Sequence, residues 1–290
     1  MFFLFVVPID RNTFLYEYNK KVALLETIGK PRIIFIGGSN LAFNLDSRML
    51  QDSLKYHIVN FGMASSIGLR YQLEDCYDYI QEGDVIVLQF EYENFLNNGN
   101  GDQDFLKFMQ SVKWRRYDKL NWHQYITIIK TAPAMMRHDM KRLLLYPSRK
   151  SFDTPPSDTE FSYAASGFNE FGDEVSHFNY PSKPVSARPL DLKNYSKNFV
   201  VWLENIIGKY EQKGANVILL PPVCVRSFYD SVDTDIASQL LKEIGHPYVV
   251  SPSFMVQDDL YYFDLSYHLT RDGCIRNSRE IMKILQPLIN

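Results

Sequence analysis

Two short segments of the chain carry side chains that together could activate a hydroxyl group for attack on an ester. Gly37-Gly38-Ser39-Asn40 is a glycine-rich turn that would present a serine hydroxyl. Near the C-terminus, Asp264 precedes His268 by four residues, in a segment predicted as a loop. A histidine can take the proton of a serine while a carboxylate fixes the tautomer of the imidazole. The pattern predicts Ser39 as a nucleophile, His268 as its base and Asp264 as the orienting acid.

Each of these residues also has a simpler role open to it. Ser39 could act only as the N-cap of a helix, a frequent role for a serine after a strand. His268 could lie on the surface or cap a helix, and His177 is a second candidate for the base. The two segments alone therefore leave the chemistry open.

The elements that must bring these segments together are predicted from apolar runs and helical periods. Continuous apolar runs at 32–37, 56–61 and 84–90 are typical of strands whose two faces are covered by helices, and two further strands are predicted at 215–221 and 247–250. Helices are predicted at 10–29, 67–80, 190–213, 234–244 and 271–288. Alternating strands and helices predict an α/β protein with a three-layer α/β/α, flavodoxin-like parallel sheet in the order 2-1-3-4-5.

The loops after the second and third strands carry further polar groups. Functional sites of open parallel sheets lie beyond the C-terminal ends of the strands. Gly62 follows the second strand and Asn94 follows the third, so a backbone N–H and a side-chain amide could stabilise an oxyanion at Ser39. Glycine and asparagine are also common in ordinary turns, so this role has an alternative.

An insertion is predicted between strands three and four, over residues 97–190. Its first half is predicted to be helical at about 103–145, with an interruption near Pro133. Its second half is predicted to be a long loop or lid. The loop contains Asn169, Asp173 and His177 among aromatic residues, which could bind the hydroxyl groups of a sugar or simply face solvent. Together with Asn40 beside the nucleophile, these are the predicted substrate-binding residues.

Composition limits the classes of function. The chain has 290 residues, enough for one α/β domain with an insertion, and we predict a single domain over 1–290. The net charge is −3 and no long run of Lys or Arg occurs, which argues against nucleic acid as a partner. Cys76, Cys224 and Cys274 are isolated, without zinc or disulfide spacing, and are expected in the core.

The N-terminal segment, residues 1–30, begins with a strongly apolar run at 1–7. This run is much shorter than the roughly 20 residues that span a bilayer, and no cationic region precedes it as in a signal peptide. Two interpretations stay open: a buried strand, or the end of a membrane anchor whose earlier part precedes residue 1.

The order of these motifs resembles that of the SGNH/GDSL hydrolase superfamily. A serine follows the first strand, a glycine the second and an asparagine the third, and an Asp…His-Leu loop precedes the final helix. The resemblance covers about 32–95 and 215–288 and leaves the insertion uncovered. It is nearest to the extracytoplasmic branch, similar to the alginate O-acetylation proteins and the D-alanine transfer protein of teichoic acids, which carry an N-terminal membrane anchor.

The resemblance implies a function as well as a fold. Ser39, His268 and Asp264 would form the triad, and the N–H groups of Ser39 and Gly62 would form the oxyanion hole with the side chain of Asn94. The implied activity is that of a serine esterase or O-acyltransferase, without metal or cofactor, acting on an acylated carbohydrate or cell-surface glycan. The implied location is extracytoplasmic, either periplasmic or membrane-anchored through the N-terminus.

Two departures from the family pattern bear on the site. The third block reads Glu91-Tyr92-Glu93-Asn94 rather than Gly-x-Asn-Asp, so the asparagine is shifted. Asp264 and His268 are separated by three residues instead of two, so a Ser–His dyad stays open, as does Asp258 or Asp259 as the acid.

Two other functions are compatible with the same sequence. A non-catalytic protein for glycan binding or polysaccharide assembly could keep the fold without turnover. A flavodoxin-like binder of a nucleotide or phosphate is less well supported, because the Gly37-Gly38-Ser39 turn lacks the longer glycine pattern and the Lys of phosphate loops.

Overall fold

A parallel four-stranded sheet lies at the centre of the structure, a computed structural model that describes residues 11–145, 163–183 and 189–289. The strands are β1 (Arg32–Gly37), β2 (His57–Gly62), β3 (Val85–Gln89) and β4 (Asn216–Leu219), in the order β2-β1-β3-β4. Every residue of β1 is buried, because β1 lies between β2 and β3. The predicted α/β class and the order of the first four strands are confirmed.

The α-helices of the described residues follow the predicted alternation with the strands. They are α1 (Tyr18–Thr27), α2 (Ser39–Ala42), α3 (Ser47–Leu54), α4 (Leu69–Cys76), α5 (Phe105–Ser111), α6 (Trp122–Leu145), α7 (Lys197–Gln212), α8 (Arg226–Tyr229), α9 (Thr234–Glu243) and α10 (Arg271–Ile289). Buried tyrosines join α1 and α7 to α4, whereas α3 packs against α10. This arrangement is consistent with the predicted three layers.

The predicted fifth strand of the sheet is not formed. In the segment 247–250, only the N–H of Val249 donates to the sheet, to the carbonyl oxygen of Leu219 at 3.1 Å. Pro247 has no N–H to extend the pairing. The chain instead forms a separate two-stranded parallel sheet from β5 (Cys224–Val225) and β6 (Val256–Gln257).

The insertion differs from the prediction at Pro133. The helix α6 continues through this residue rather than stopping there. A proline removes one helical hydrogen bond, that to the carbonyl of Ile129. Pro133 and Ile129 are exposed, so the orphaned carbonyl lies on a face that water can reach, and the helix can continue.

The described part of the predicted loop or lid packs against the sheet instead of facing solvent. The N–H of Asn60 in β2 donates to the carbonyl oxygen of Phe171 at 3.0 Å, and the N–H of Glu174 donates to that of Ala42 at 2.8 Å. Residues 163–183 thus cover the free edge of β2. The rest of the predicted lid, at 146–162 and 184–188, lies outside the described residues, as does the apolar run at 1–7.

None of the helices in the described part of the chain combines the length and the apolar character needed to cross a membrane.

A buried ion pair joins the N-terminal ends of two central strands. The guanidinium of Arg32 donates to both carboxylate oxygens of Asp84, from Nε at 2.7 Å and from Nη2 at 2.8 Å, and both side chains are inaccessible to solvent. Nη1 of Arg32 also donates to the carbonyl oxygen of Leu25 at the end of α1. The pair therefore fixes α1, β1 and β3 relative to one another.

We predict that Asp84→Ala lowers the free energy of unfolding by about 3–5 kcal/mol, because it leaves the Arg32 guanidinium buried without its partner. The matched control is Glu280→Ala, which removes the partner of Lys283 in an exposed ion pair and should cost less than about 1 kcal/mol. Urea unfolding monitored by circular dichroism would measure both values. Equal effects of the two substitutions would contradict this role of the buried pair.

Candidate active site

The serine lies at the C-terminal edge of the sheet. Gly38, in an extended conformation, follows the end of β1, and Ser39 begins the short helix α2. The side-chain amide of the next residue, Asn40, donates to the carbonyl oxygen of Gln89 at the end of β3, at 2.9 Å. This bond fixes the turn to the neighbouring strand and leaves the Ser39 side chain half-buried at the edge.

His268 and Asp264 reach this serine from the loop before α10. Nε2 of His268 is 2.9 Å from Oγ of Ser39, and Nδ1 is 2.8 Å from Oδ1 of Asp264. The imidazole stacks on the ring of Phe43, with centroids 4.0 Å apart and planes 5° from parallel. The three predicted catalytic side chains thus form one hydrogen-bonded chain, in which Asp264, rather than Asp258 or Asp259, is the carboxylate bonded to His268.

Asn44 fixes the C-terminal loop to the serine turn. Its side-chain oxygen accepts from the N–H of Leu269 at 2.9 Å, and its amide donates to the carbonyl oxygen of Tyr267 at 2.6 Å. These two bonds flank His268 in the sequence. Sequence reasoning missed Asn44, although it follows Ser39 by only five residues.

Tyr163 is a second residue of the site that the sequence did not indicate. Its hydroxyl donates to Oδ2 of Asp264 at 2.7 Å and lies 3.4 Å from Nδ1 of His268. The carboxylate of Asp264 therefore has a partner on each oxygen. Tyr163 comes from the insertion, whose weak periodicity gave no signal of this contact.

The protonation states of the pair suit a base and its acid. Burial lowers the pKa of His268 below its usual value, and the hydrogen bond and charge of Asp264 only partly offset this effect. Burial alone would raise the pKa of Asp264, but its hydrogen bond and attraction to His268 outweigh burial and lower it. At neutral pH the imidazole is therefore neutral and able to accept a proton.

Two of the three predicted oxyanion donors, Gly62 and Asn94, are bonded elsewhere in the protein. The N–H of Gly62 donates to Oδ1 of Asn60 at 2.9 Å, and the side-chain amide of Asn94 donates to the backbone oxygen of Glu91 at 3.0 Å. Gly62 lies so close to α2 that a Cβ there would be 2.5 Å from the backbone nitrogen of Ala42. Glycine is needed at position 62 for this close packing, and of the three predicted donors neither Gly62 nor Asn94 is aimed at Ser39.

A carboxyl group occupies the side of Ser39 where these donors were expected. Oε1 of Glu91 lies 3.2 Å from Oγ of Ser39 and accepts from the N–H of Asn40 at 3.3 Å. Glu91 is only 5% exposed. Glu91 is the first residue of the irregular third block, in which the sequence pattern indicated only Asn94.

The residues of the insertion that were predicted to bind substrate are instead bonded within the protein, which corrects that prediction. Asp173 is 1% exposed and accepts from Ser47, Asn60 and Asn169. The side-chain oxygen of Asn169 in turn accepts from the N–H groups of Phe171 and Asp173. These bonds hold the loop against β2, and Asp173 is too deeply buried to contact a sugar.

His177 and Asn40 are likewise buried. Nδ1 of His177 is bonded to Glu174, and Nε2 is 2.8 Å from the carbonyl oxygen of Leu269. His177 therefore supports the loop that carries His268, and both of its ring nitrogens are bonded to groups other than Ser39. The side chain of Asn40 is inaccessible and bonded to β3, so it does not contact a substrate through its amide.

The described residues include no cluster of three or more His, Cys, Asp or Glu side chains that could hold a metal ion. Cys76, Cys224 and Cys274 are buried and unpaired, as the sequence predicted.

In comparisons with known proteins, no family model matches the chain, and no curated protein matches its sequence. The α/β fold and the geometry at Ser39 therefore carry the functional argument.

We predict that the His268 imidazole titrates below its usual value of about 6.5, and that Asp264→Asn lowers this midpoint further. The direction follows because the carboxylate favours the charged imidazole, and its removal leaves burial unopposed. The midpoint can be measured from the imidazole resonances by NMR. Asp259→Asn, a change of an exposed carboxylate on the same loop, is the control and should leave the midpoint in place; an increase in Asp264→Asn would contradict the assignment of the acid.

Proposed function

We propose that this protein is a serine esterase or O-acyltransferase that acts on an acylated carbohydrate or cell-surface glycan. The observation that supports the proposal most directly is the chain of hydrogen bonds from Ser39 through His268 to Asp264, with distances of 2.9 and 2.8 Å. Both distances are within the range expected of a nucleophile, its base and the acid that orients the base.

The proposed reaction begins when Oγ of Ser39 attacks the carbonyl carbon of the ester. Nε2 of His268 takes the proton of the hydroxyl as the new C–O bond forms. The tetrahedral intermediate then collapses, and the bond to the leaving alcohol breaks. The alcohol receives the proton from His268 and departs, and the acyl group remains as an ester on Ser39. In a second, equivalent cycle, water or the hydroxyl of a sugar attacks the acyl group and regenerates Ser39.

The pair of Asp264 and His268 is suited to both halves of this cycle. Nδ1 faces the carboxylate, so the neutral imidazole has its free lone pair at Nε2, toward Ser39. When His268 becomes charged, Asp264 and the hydroxyl of Tyr163 stabilise the ion pair from the other side. Stacking on Phe43 keeps the ring in the plane that serves both partners.

The substrate class and location of the proposal come from the resemblance to the SGNH superfamily. Members of its extracytoplasmic branch suggest an O-acylated glycan and an extracytoplasmic location, with membrane association through the N-terminal segment. Exposed side chains beside the triad, Tyr163 at 41% and Leu265 at 51%, offer an apolar surface on which a sugar ring could rest.

A glycan-binding or polysaccharide-assembly protein without turnover is the alternative function. The observation that favours it is that the groups expected at the oxyanion are already in contact with the protein: Gly62 and Asn94 donate to other protein atoms, and the carboxyl of Glu91 lies 3.2 Å from Oγ of Ser39. Such a protein would keep the cleft but leave Ser39 unreactive.

We predict that a fluorophosphonate probe labels the protein and that Ser39→Ala abolishes labelling, because Oγ is the atom that forms the bond to phosphorus. His268→Gln should slow both labelling and hydrolysis of p-nitrophenyl acetate by about 10³-fold or more, and Asp264→Asn by about 10²–10⁴-fold. Gel-based labelling and release of p-nitrophenol measure the two reactions.

Two exposed residues of the same types serve as controls. Ser253→Ala and His123→Gln change an exposed serine and an exposed histidine that are not members of the triad, so both should keep the wild-type rate. An unreactive wild-type protein would favour the binding function, and labelling that persists in Ser39→Ala would exclude Ser39 as the nucleophile.

A further inference from the structure

We infer that the carboxyl group of Glu91, in its protonated form, is a catalytic donor that binds the carbonyl oxygen of the ester while Ser39 attacks. It would take the place at the oxyanion that was predicted for the amide of Asn94. The inference rests on the proposed function, since it assigns a role within the same acyl transfer.

The position of Glu91 relative to the nucleophile is the first ground for this inference. Two groups contact Oγ of Ser39: Nε2 of His268 at 2.9 Å and Oε1 of Glu91 at 3.2 Å. When Oγ attacks, its proton passes to His268, and the oxygen of the attacked carbonyl becomes a near neighbour of Oγ. A group already in contact with Oγ, and not needed to accept its proton, is then within reach of that oxygen.

The way in which Glu91 is held is the second ground. The N–H and the side-chain amide of Asn94 both donate to the backbone oxygen of Glu91, at 3.1 and 3.0 Å. Gly38 leaves room for the carboxyl, since a Cβ at that position would be 2.5 Å from Oε1. The N–H of Asn40 donates to the same oxygen, so Asn94 fixes the backbone of Glu91 while Asn40 holds its carboxyl beside Ser39.

The charge of Glu91 is the third ground, because only the neutral carboxyl has a proton to donate. Burial and the nearby carboxylate of Glu93 raise the pKa of Glu91 to about 7, and hydrogen bonds from Ser65, Asn40 and Ser39 oppose that rise only in part. Near neutral pH a large share of Glu91 therefore carries its proton. An ionised carboxylate in this position would repel the oxyanion.

The groups that face Glu91 from the surrounding elements leave it without a cation. Glu93, from its own segment, is bonded to the hydroxyl of Tyr267 at 2.8 Å. The turn after β2 contributes the hydroxyl of Ser65, and His268 lies beyond Ser39. Among the residues that the structure describes, no Lys or Arg pairs with either glutamate.

A dependence on pH follows from this arrangement. The reaction needs a neutral His268, which is present above the lowered pKa of that group, and a neutral Glu91, which is lost as the pH rises through about 7. The rate should therefore fall on the alkaline side, where an ordinary Ser–His–Asp site stays active.

The experiment measures the second-order rate constant of fluorophosphonate labelling from roughly pH 5 to 9 for the wild type and two variants. In this reaction Oγ forms a bond to phosphorus, His268 takes the Oγ proton and fluoride leaves, while the phosphoryl oxygen occupies the place of the carbonyl oxygen. We expect the wild-type rate to fall about tenfold per pH unit above the pKa of Glu91. Glu91→Gln keeps an N–H donor that does not titrate, so this alkaline decrease should disappear.

The second variant is Glu93→Gln, which changes a residue that does not touch the reacting atoms. It removes the negative charge that helps to raise the pKa of Glu91, so the alkaline decrease should move to lower pH.

A third measurement does not depend on reactivity: the thermal midpoint of the wild type relative to Glu91→Gln should fall as the pH rises from about 4.5 to about 7. The sign follows because a carboxyl whose pKa is raised by folding stabilises the folded state only while it keeps its proton.

Each outcome bears on the inference. An alkaline decrease that disappears in Glu91→Gln and moves in Glu93→Gln supports it. Labelling of the wild type with the same pH profile in all three proteins would overturn the role of Glu91 and leave the proposed function in place. A wild type that is unlabelled at every pH would overturn both the proposed function and this inference.

Discussion

The alignment of three parallel strands is the constraint on which the site depends. In the register of the sheet, Gly37 at the end of β1 pairs with Gly62 of β2 on one side and with Gln89 of β3 on the other. The three strands therefore end at the same level, and the residues that follow them emerge at one edge of the sheet. The serine turn and Glu91 meet for this reason, although the chain between them contains two complete strands, β2 and β3, and the helices α3 and α4.

The C-terminal loop must then be brought to that edge from a distant part of the chain. Asn44 holds the loop from one side through Leu269 and Tyr267, and His177 binds the carbonyl of Leu269 from the other. Ring stacking on Phe43 sets the angle of the imidazole between these contacts. The histidine of the triad is thus located by buried polar groups that are fully paired, an arrangement that gives a single well-defined position.

Sequence reasoning predicted the parts of this structure that depend on local pattern. The apolar run at Arg32–Gly37 is a strand with the same bounds, because a strand buried on both faces is apolar throughout. The contact between Ser39, His268 and Asp264 could also be predicted, because loops that follow parallel strands meet at one edge of the sheet. Their function, and the resemblance on which it rests, stay predictions.

The errors came from contacts between distant segments. Asp173 and His177 have the residue types of a sugar-binding loop, but their partners, Asn60 and Leu269, are far away in the sequence. The local sequence pattern of a polar loop residue is the same whether its side chain faces solvent or belongs to a buried hydrogen-bond network. The prediction of a fifth strand was wrong for a related reason. The segment 247–250 has the apolar residues of a strand, but it forms a single hydrogen bond with the edge of β4.

Three acids in this chain illustrate how the surroundings decide the role of a carboxyl group. Asp84, which is buried, is paired with the guanidinium of Arg32, and Asp264, which is partly buried, is paired with His268, so each charge has a partner. Glu91 has hydrogen-bond donors but no cation, and it lies near a second carboxylate, that of Glu93. Burial of such a group destabilises the folded state once the proton is lost. A glutamine would fit the same space without that penalty, so the carboxyl at this place is best explained by a function that needs its proton. Contact with the hydroxyl of Ser39 identifies the atom on which such a function would act.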